Sequence, residues 1–256
     1  MNRERFDALC EQALRESRHA KESGIGTLQE KRMHAVIKKY LCPDEDFHEV
    51  GVADTRYVSD VRIGNEIYEV QTGAFYPMKQ KIAHYLARTD CSVTVVHPIS
   101  VVQWMCWVDP KTYEIGPRRK VSRHGRVEDL LAELYCLLPY LGEIESGRLR
   151  FRLLLVETQD FRLLDGWSRD RKRGSTLYER IPLSLIDEIE FSKREDFLRF
   201  IPDDLPPHFT VREFSVRTKI RGRDAYSAVR VLCALGLFGE GERIGRSMGF
   251  LRTDKL

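Results

Sequence analysis

Tyr57-Val58-Ser59-Asp60-Val61-Arg62-Ile63-Gly64-Asn65-Glu66-Ile67-Tyr68-Glu69-Val70-Gln71-Thr72 holds two short runs rich in Val, Ile and Tyr on either side of Gly64-Asn65. That dipeptide suits the positive φ of a tight turn, so the segment reads as a β-hairpin. With the loop centred there, Ile63 faces Glu66, Arg62 faces Ile67, Val61 faces Tyr68, and Asp60 faces Glu69. Directly opposed residues hold their Cβ atoms about 4.5–5.5 Å apart, where like charges are destabilising. A divalent cation turns the repulsion into coordination, because hard ions such as Mg²⁺ take carboxylate oxygens. Gln71 follows on the same face as Glu69, one pleat further along.

Upstream, Phe47 to Val52 reads as a strand, and Cys42-Pro43-Asp44-Glu45-Asp46 as an acidic, solvated turn. The helix before them starts at Thr27, where Thr27-Leu28-Gln29-Glu30 has the form of a capping box. Its buried stripe is Met33, Val36, Ile37, Tyr40 and Leu41. Glu30, three and seven residues before Met33 and Ile37, falls on the same inward face. Two roles for Glu30 therefore stay open, a helix cap and a carboxylate turned toward the hairpin. His34, one turn later, has a core histidine as its default reading. Further upstream, Arg5 to Ser23 forms a leading helix with Phe6, Leu9, Cys10, Ala13 and Leu14 inward, ending at Gly24-Ile25-Gly26.

Downstream, Phe75-Tyr76-Pro77 opens a helix with Pro in its first turn and Met78, Ile82, Tyr85 and Leu86 on its apolar face. Ser92 to Ile99 is a nearly continuous β-branched run, as in a strand buried on both sides. Val101 to Asp109, a turn at Asp109-Pro110-Lys111, and Tyr113 to Ile115 suggest a second hairpin. Val127 to Leu141 reads as an amphipathic helix and Phe151 to Val156 as a further strand. The order predicts an α/β fold, a mixed central sheet flanked by helices. Gly116 to Arg126 is the densest basic segment, either a solvated loop or a phosphate-contacting one with Arg118, Arg119, Lys120 and Arg123 as candidates. In Arg169 to Gly174 the basic run is diluted by Asp170.

From Leu177 the pattern reads as helical, through Phe191 and again from Lys193 to Phe200, and the Pro-dense Ile201 to Pro207 reads as a domain boundary. Beyond it, Thr210 caps a short helix. Gly222 precedes a longer one with Arg221, Arg223, Tyr226, Ser227 and Arg230 outward, and two short strands surround Gly241-Glu242-Arg243. That is the order of a winged helix-turn-helix, whose last helix enters the major groove of DNA; a fold of this kind also serves protein contacts alone. The expected organisation is a leading helix (1–24), an α/β domain (25–175), a helical linker (176–207) and a small winged-helix domain (208–256).

With 256 residues, the chain has room for one large domain, or a medium and a small one. A net charge of +3 does not by itself announce a nucleic-acid binder, so the placement of the basic clusters matters more than their sum. The six cysteines show no C-x-x-C pair, which speaks against zinc. No run approaches the roughly 18 apolar residues that span a bilayer. A cytoplasmic protein with no membrane partner is expected.

Glu30 on a leading helix, Asp60 on one hairpin strand and Glu69-Val70-Gln71 on the other resemble the PD-(D/E)xK, or restriction-endonuclease-like, nuclease superfamily over residues 25–100. Tyr68 to Thr72, followed by Lys79, Lys81 and Tyr85, is also similar to a bacterial family with an E-x-Q-T motif, in which such a domain precedes a winged helix. The resemblance implies Asp60 and Glu69 as metal ligands, Val70 as a carbonyl ligand and Glu30 as an auxiliary ligand or water-positioning group, around Mg²⁺ or Mn²⁺. Gln71 stands where the superfamily more often has lysine, and Lys81 is the candidate for a displaced catalytic lysine. The implied activity is hydrolysis of phosphodiester bonds in nucleic acid, DNA rather than RNA, delivered by Arg221, Arg223, Tyr226, Arg230 and Arg243, with a homodimer as a further expectation. The alternatives are a DNA-binding regulator that keeps only the scaffold, and a protein-directed assembly module of a phage-defence or mobile-element system.

Overall fold

In the computed structural model, residues 2–22, 31–52, 56–122, 124–167 and 173–253 are described. Glu30, the Thr27 cap, Arg123 and residues 169–172 of the second basic segment lie outside them. The chain runs α1 (Arg3–Glu22), α2 (Lys31–Leu41), β1 (His48–Gly51), β2 (Val58–Ile63), β3 (Glu66–Val70), α3 (Lys79–Arg88), β4 (Ser92–Val108), β5 (Arg119–Lys120), α4 (Asp129–Leu134), β6 (Leu149–Trp167), β7 (Arg173–Phe191), β8 (His208–Thr210), α5 (Val211–Thr218), α6 (Gly222–Ala234), β9 (Phe238–Ile244) and β10 (Ser247–Arg252).

The first seven strands form one mixed sheet in the order β1-β2-β3-β4-β6-β7, with β5 on β4. The hairpin register is the expected one: Val61 pairs with Tyr68, Arg62 with Ile67 and Ile63 with Glu66, and Gly64 holds φ at +60°. β1 and β3 both run antiparallel to β2, while β4 runs parallel to β3 and β6 parallel to β4. Both faces are covered. On one, Ile67, Val93, Val95, Phe151 and Leu153 pack under Ile82 and Tyr85 of α3 and Leu130, Leu131 and Leu134 of α4. On the other, Val70, Val96, Leu154 and Val156 meet Phe6, Cys10 and Ala13 of α1 and Met33, Val36, Ile37 and Tyr40 of α2. Burying each large apolar side chain stabilises by roughly 1.5–3 kcal/mol, and this double layer fixes the sheet on which β2 and β3 sit.

Three readings that concern strands are corrected. Leu177 to Phe191 is a strand, so residues 176–207 are no helical linker: β7 fills the segment to Phe191, and a 3₁₀ turn follows at Arg194–Phe200. Its bulges, between the partners of Leu155 and Val156 and again of Glu157 and Thr158, reset the two-residue alternation and leave Ile181 and Leu185 buried at a helix-like spacing. Pro182 lies in this edge strand, where proline is tolerated. Val101 to Asp109 is likewise no separate hairpin strand. It continues β4 past a bulge near Val101, and the expected pairing with Tyr113 to Ile115 shrinks to one bridge between Val108 and Ile115.

The third correction concerns the last hairpin, which turns at Gly245, with φ +60°, and not around Gly241-Glu242-Arg243. Gly249 has a packing role instead, since a Cβ there would meet the Glu242 carbonyl oxygen at 2.0 Å and His208 Nε2 at 2.4 Å. Thr210 caps α5 as expected, with Glu213 completing a capping box. The expected helix at Val127 to Leu141 is α4 followed by a 3₁₀ stretch, Tyr135–Ile144, which contains Pro139.

β8, β10 and β9 make a small three-stranded sheet beside α5 and α6. Its Phe209, Phe214, Ala228, Leu232 and Phe250 belong to the same buried cluster as α3 and α4. The Pro-dense segment is tied into that cluster: Phe200, Ile201 and Leu205 are buried, and the Arg252 guanidinium donates to the carbonyls of Pro202 and Leu205. Among the described residues, no helix is long and apolar enough to cross a membrane.

Candidate active site

The β2/β3 ladder ends at Val61 and Tyr68, and a side chain takes over beyond it. Asp60 Oδ2 accepts the Val70 amide at 2.7 Å. This bond supplies the partner that the amide would otherwise lack, and it holds the carboxylate against the end of β3. From α2, His34 Nε2 reaches the same Oδ2 at 3.2 Å. Burial alone pushes the Asp60 carboxyl up, but His34, the Val70 amide and Lys81 outweigh it and leave it below the ordinary aspartate value.

Glu69 is nearly sequestered, with its side chain 4% exposed. From α3, Lys81 Nζ lies 2.5 Å from Oε2, and the Tyr85 hydroxyl donates to Oε1 at 3.1 Å. These two residues are one helical turn apart, so a single face of α3 presents both donors. Burial, followed by the charge of Asp60, raises the Glu69 carboxyl to about 7; Lys81 and Tyr85 work in the opposite direction. The two acids therefore share an electrostatic environment, and their environments push them apart. One is held ionised and the other is poised near neutrality, the arrangement that functional carboxylate pairs use.

The elements thus bring Asp60, Glu69, Val70 and Lys81 together. Gln71 does not join them: its side-chain amide donates to the Ala74 carbonyl at 2.6 Å and closes the turn that leads to α3. Its backbone carbonyl accepts from His97 Nδ1, so Gln71 anchors the loop to β4. His34 and Tyr85 are functional candidates that pattern alone hid. Each sits on an apolar helical stripe, and the one available signal was that a buried ring with a polar atom needs a partner.

The basic candidates divide. Arg118 stacks 3.9 Å from the Trp104 ring centroid and pairs with Glu157 at 3.0 Å, while Arg119 and Lys120 form the exposed strand β5. Arg221, Arg223 and Tyr226 are exposed around the start of α6, and Arg243 is exposed on β9. Arg230 is paired with Glu240 at 2.6 Å, which weakens it as a phosphate contact.

A family model described as "Domain of unknown function (DUF8091)" matches residues 31–192. The chain belongs to that family. The DUF8091 match begins with α2 and ends just after β7, so His34, Asp60, Glu69, Lys81 and Tyr85 all lie inside it and α5, α6, β9 and β10 outside. No curated protein and no solved structure matches the chain.

Among the described residues, no three His, Cys, Asp or Glu side chains are grouped to hold a metal ion. The donor set present is two mutually repelling carboxylates at the end of an opened ladder, where the Val70 backbone is directed to the Asp60 side. Hard oxygen donors in that number fit a Mg²⁺ site, since Mg²⁺ commonly uses one or two carboxylates and keeps several waters. They do not fit a zinc site, which takes nitrogen and sulfur.

Proposed function

We propose that this DUF8091 protein is a metal-dependent phosphodiesterase acting on nucleic acid, DNA in preference to RNA. The observation that carries the reading is the Asp60 and Glu69 pair at the end of β2 and β3, with Lys81 delivered onto Glu69 from α3. Supporting it is the element order, a helix, three antiparallel strands, a helix and a strand parallel to the third, which is that of a restriction-endonuclease-like core. α5, α6, β9 and β10 likewise follow the order of a winged helix.

Asp60, Glu69 and the Val70 carbonyl would hold Mg²⁺ or Mn²⁺, with Glu30 as a further carboxylate. The ion would supply a bound water of lowered pKa and neutralise charge on the phosphate. His34 keeps Asp60 oriented and ionised. Tyr85 fixes one Glu69 oxygen, which leaves the rotation of the carboxylate determined by α3. Lys81 is a cation placed beside the acids, and on leaving Glu69 it faces the charge that builds on the phosphate oxygens, the role that electrostatic stabilisation requires.

Plasmid and single-stranded substrates incubated with Mg²⁺ or Mn²⁺ test this. Cleavage that disappears in Asp60→Asn and Glu69→Gln, with folding retained, supports the reading, and intact substrates under every condition with wild-type protein overturn it. One observation favours a second reading, a nucleic-acid-binding module without chemistry. Both Glu69 oxygens already have donors, and Gln71 is spent on Ala74.

A further inference from the structure

An open groove of about 620 Å³ runs between the start of α3 and the start of α6, floored by the 3₁₀ stretch after α4. Tyr76, Lys79, Tyr135, Glu133, Arg223 and Asp224 line it. Tyr76 is 75% exposed although it is a large ring, and it sits in the turn immediately before the helix that carries Lys81. Lys79 and Arg223 face the groove from α3 and α6, and neither forms an ion pair among the described residues. The two acids are partly spent: Glu133 accepts the Phe75 amide at 2.8 Å, and Asp224 lies in the first turn of α6, where the helix dipole favours a negative charge.

A ring open to solvent in a groove that also presents a lysine and an arginine without ion-pair partners among the described residues is an arrangement that suits an unpaired nucleic-acid strand. The base stacks on the aromatic face and the cations track the backbone, without regard to sequence. A duplex would keep its bases stacked on one another and could not use Tyr76. We infer that this groove binds a single-stranded segment of the substrate, so that the substrate class is nucleic acid with an unpaired stretch. The inference rests on the nuclease reading for the fate of that strand, but binding can be measured without catalysis.

The test is fluorescence anisotropy of a labelled oligo(dT) 20-mer, alone and as a duplex with oligo(dA), on the full chain in EDTA at low salt. Base stacking on an aromatic ring is worth about 1–3 kcal/mol, on the order of a 5- to 150-fold change in Kd. Tyr76→Ala should weaken the single strand by that factor and the duplex by less than about twofold. Tyr76→Phe should restore binding, since the ring and not the hydroxyl is invoked. Lys79→Ala with Arg223→Ala should weaken the single strand and flatten its salt dependence. Equal affinity of wild type for both substrates, or no loss in Tyr76→Ala, overturns the groove assignment. Retained strand binding with no metal-dependent cleavage would overturn the nuclease reading and leave the groove standing.

Discussion

Lys81 Nζ stands 2.5 Å from Glu69 Oε2, so the cation of α3 is seated on the more buried of the two acids. If this pair is part of the catalytic machinery, Lys81→Met will lower single-turnover cleavage with Mg²⁺ by about 10²-fold or more, the usual effect of removing a group that stabilises developing charge. The melting temperature will fall too at pH 8, because Glu69 is left buried without its cation, so cleavage is compared per folded molecule. Unchanged cleavage per folded molecule would make the ion pair structural only.

Glu69 also sets a pH dependence. Its carboxyl is raised to about 7 from an ordinary 4.5. Between those values the native chain holds a proton that the unfolded chain has lost, so this group makes stability fall as pH rises through the window. Asp60 acts in the opposite sense, since its lowered value gives stability above the unfolded pKa that is lost as pH falls through the native one. Glu69→Gln should therefore raise the melting temperature relative to wild type at pH 8 and less, or not at all, at pH 5. Thermal scans at the two pH values in EDTA check it, and an equal shift at both would contradict the assignment.

His34 reaches the Asp60 oxygen that also takes the Val70 amide. His34→Ala should leave the fold intact and weaken Mn²⁺ binding about 10- to 100-fold, the range seen when a group that orients a metal ligand is removed. His34→Asn, which keeps a donor, should recover part of the loss. Titration of both variants with Mn²⁺ decides whether the ring orients Asp60 or only fills space.

Far along the sheet, Asp160 is buried and bound twice by Arg180, at 2.6 and 2.8 Å, and by Gln103 at 2.7 Å. Asp160→Ala removes charge-assisted bonds worth roughly 1.5–3 kcal/mol each before partial recovery by solvent at the half-exposed Arg180. Urea unfolding should show a loss of about 2–3 kcal/mol, with Mn²⁺ binding unaltered. A change in metal affinity would mean that this end of the sheet communicates with the site.

The hairpin was legible because three independent signals agreed. Gly64 needs positive φ, the alternation on both strands matches, and the register holds from Ile63–Glu66 to Val61–Tyr68; the expected Asp60–Glu69 pair does not form, because the Asp60 side chain takes the Val70 amide where the ladder ends. Lys81 was legible as a displaced cation because its helix follows β3 so closely. β7 was not, because its bulges erase the period that marks a strand, and Ile181 and Leu185 fall four residues apart as they would in a helix. His34 and Tyr85 were hidden for a related reason, since on a helix an inward ring reads as core until its polar atom is seen to meet a carboxylate. Gln71 occupies the expected place in sequence, yet its short reach to Ala74 is set by a turn that pattern does not specify.

On the reading proposed above, Asp60 and Glu69 meet in order to hold a divalent cation. Calorimetric titration of Mn²⁺ into the wild-type chain, Asp60→Asn and Glu69→Gln at pH 8 measures this directly. Saturable binding by wild type is expected, reduced at least tenfold by each substitution, with all three proteins folded. Wild-type protein that binds no Mn²⁺, or binds it equally well after both substitutions, would contradict it.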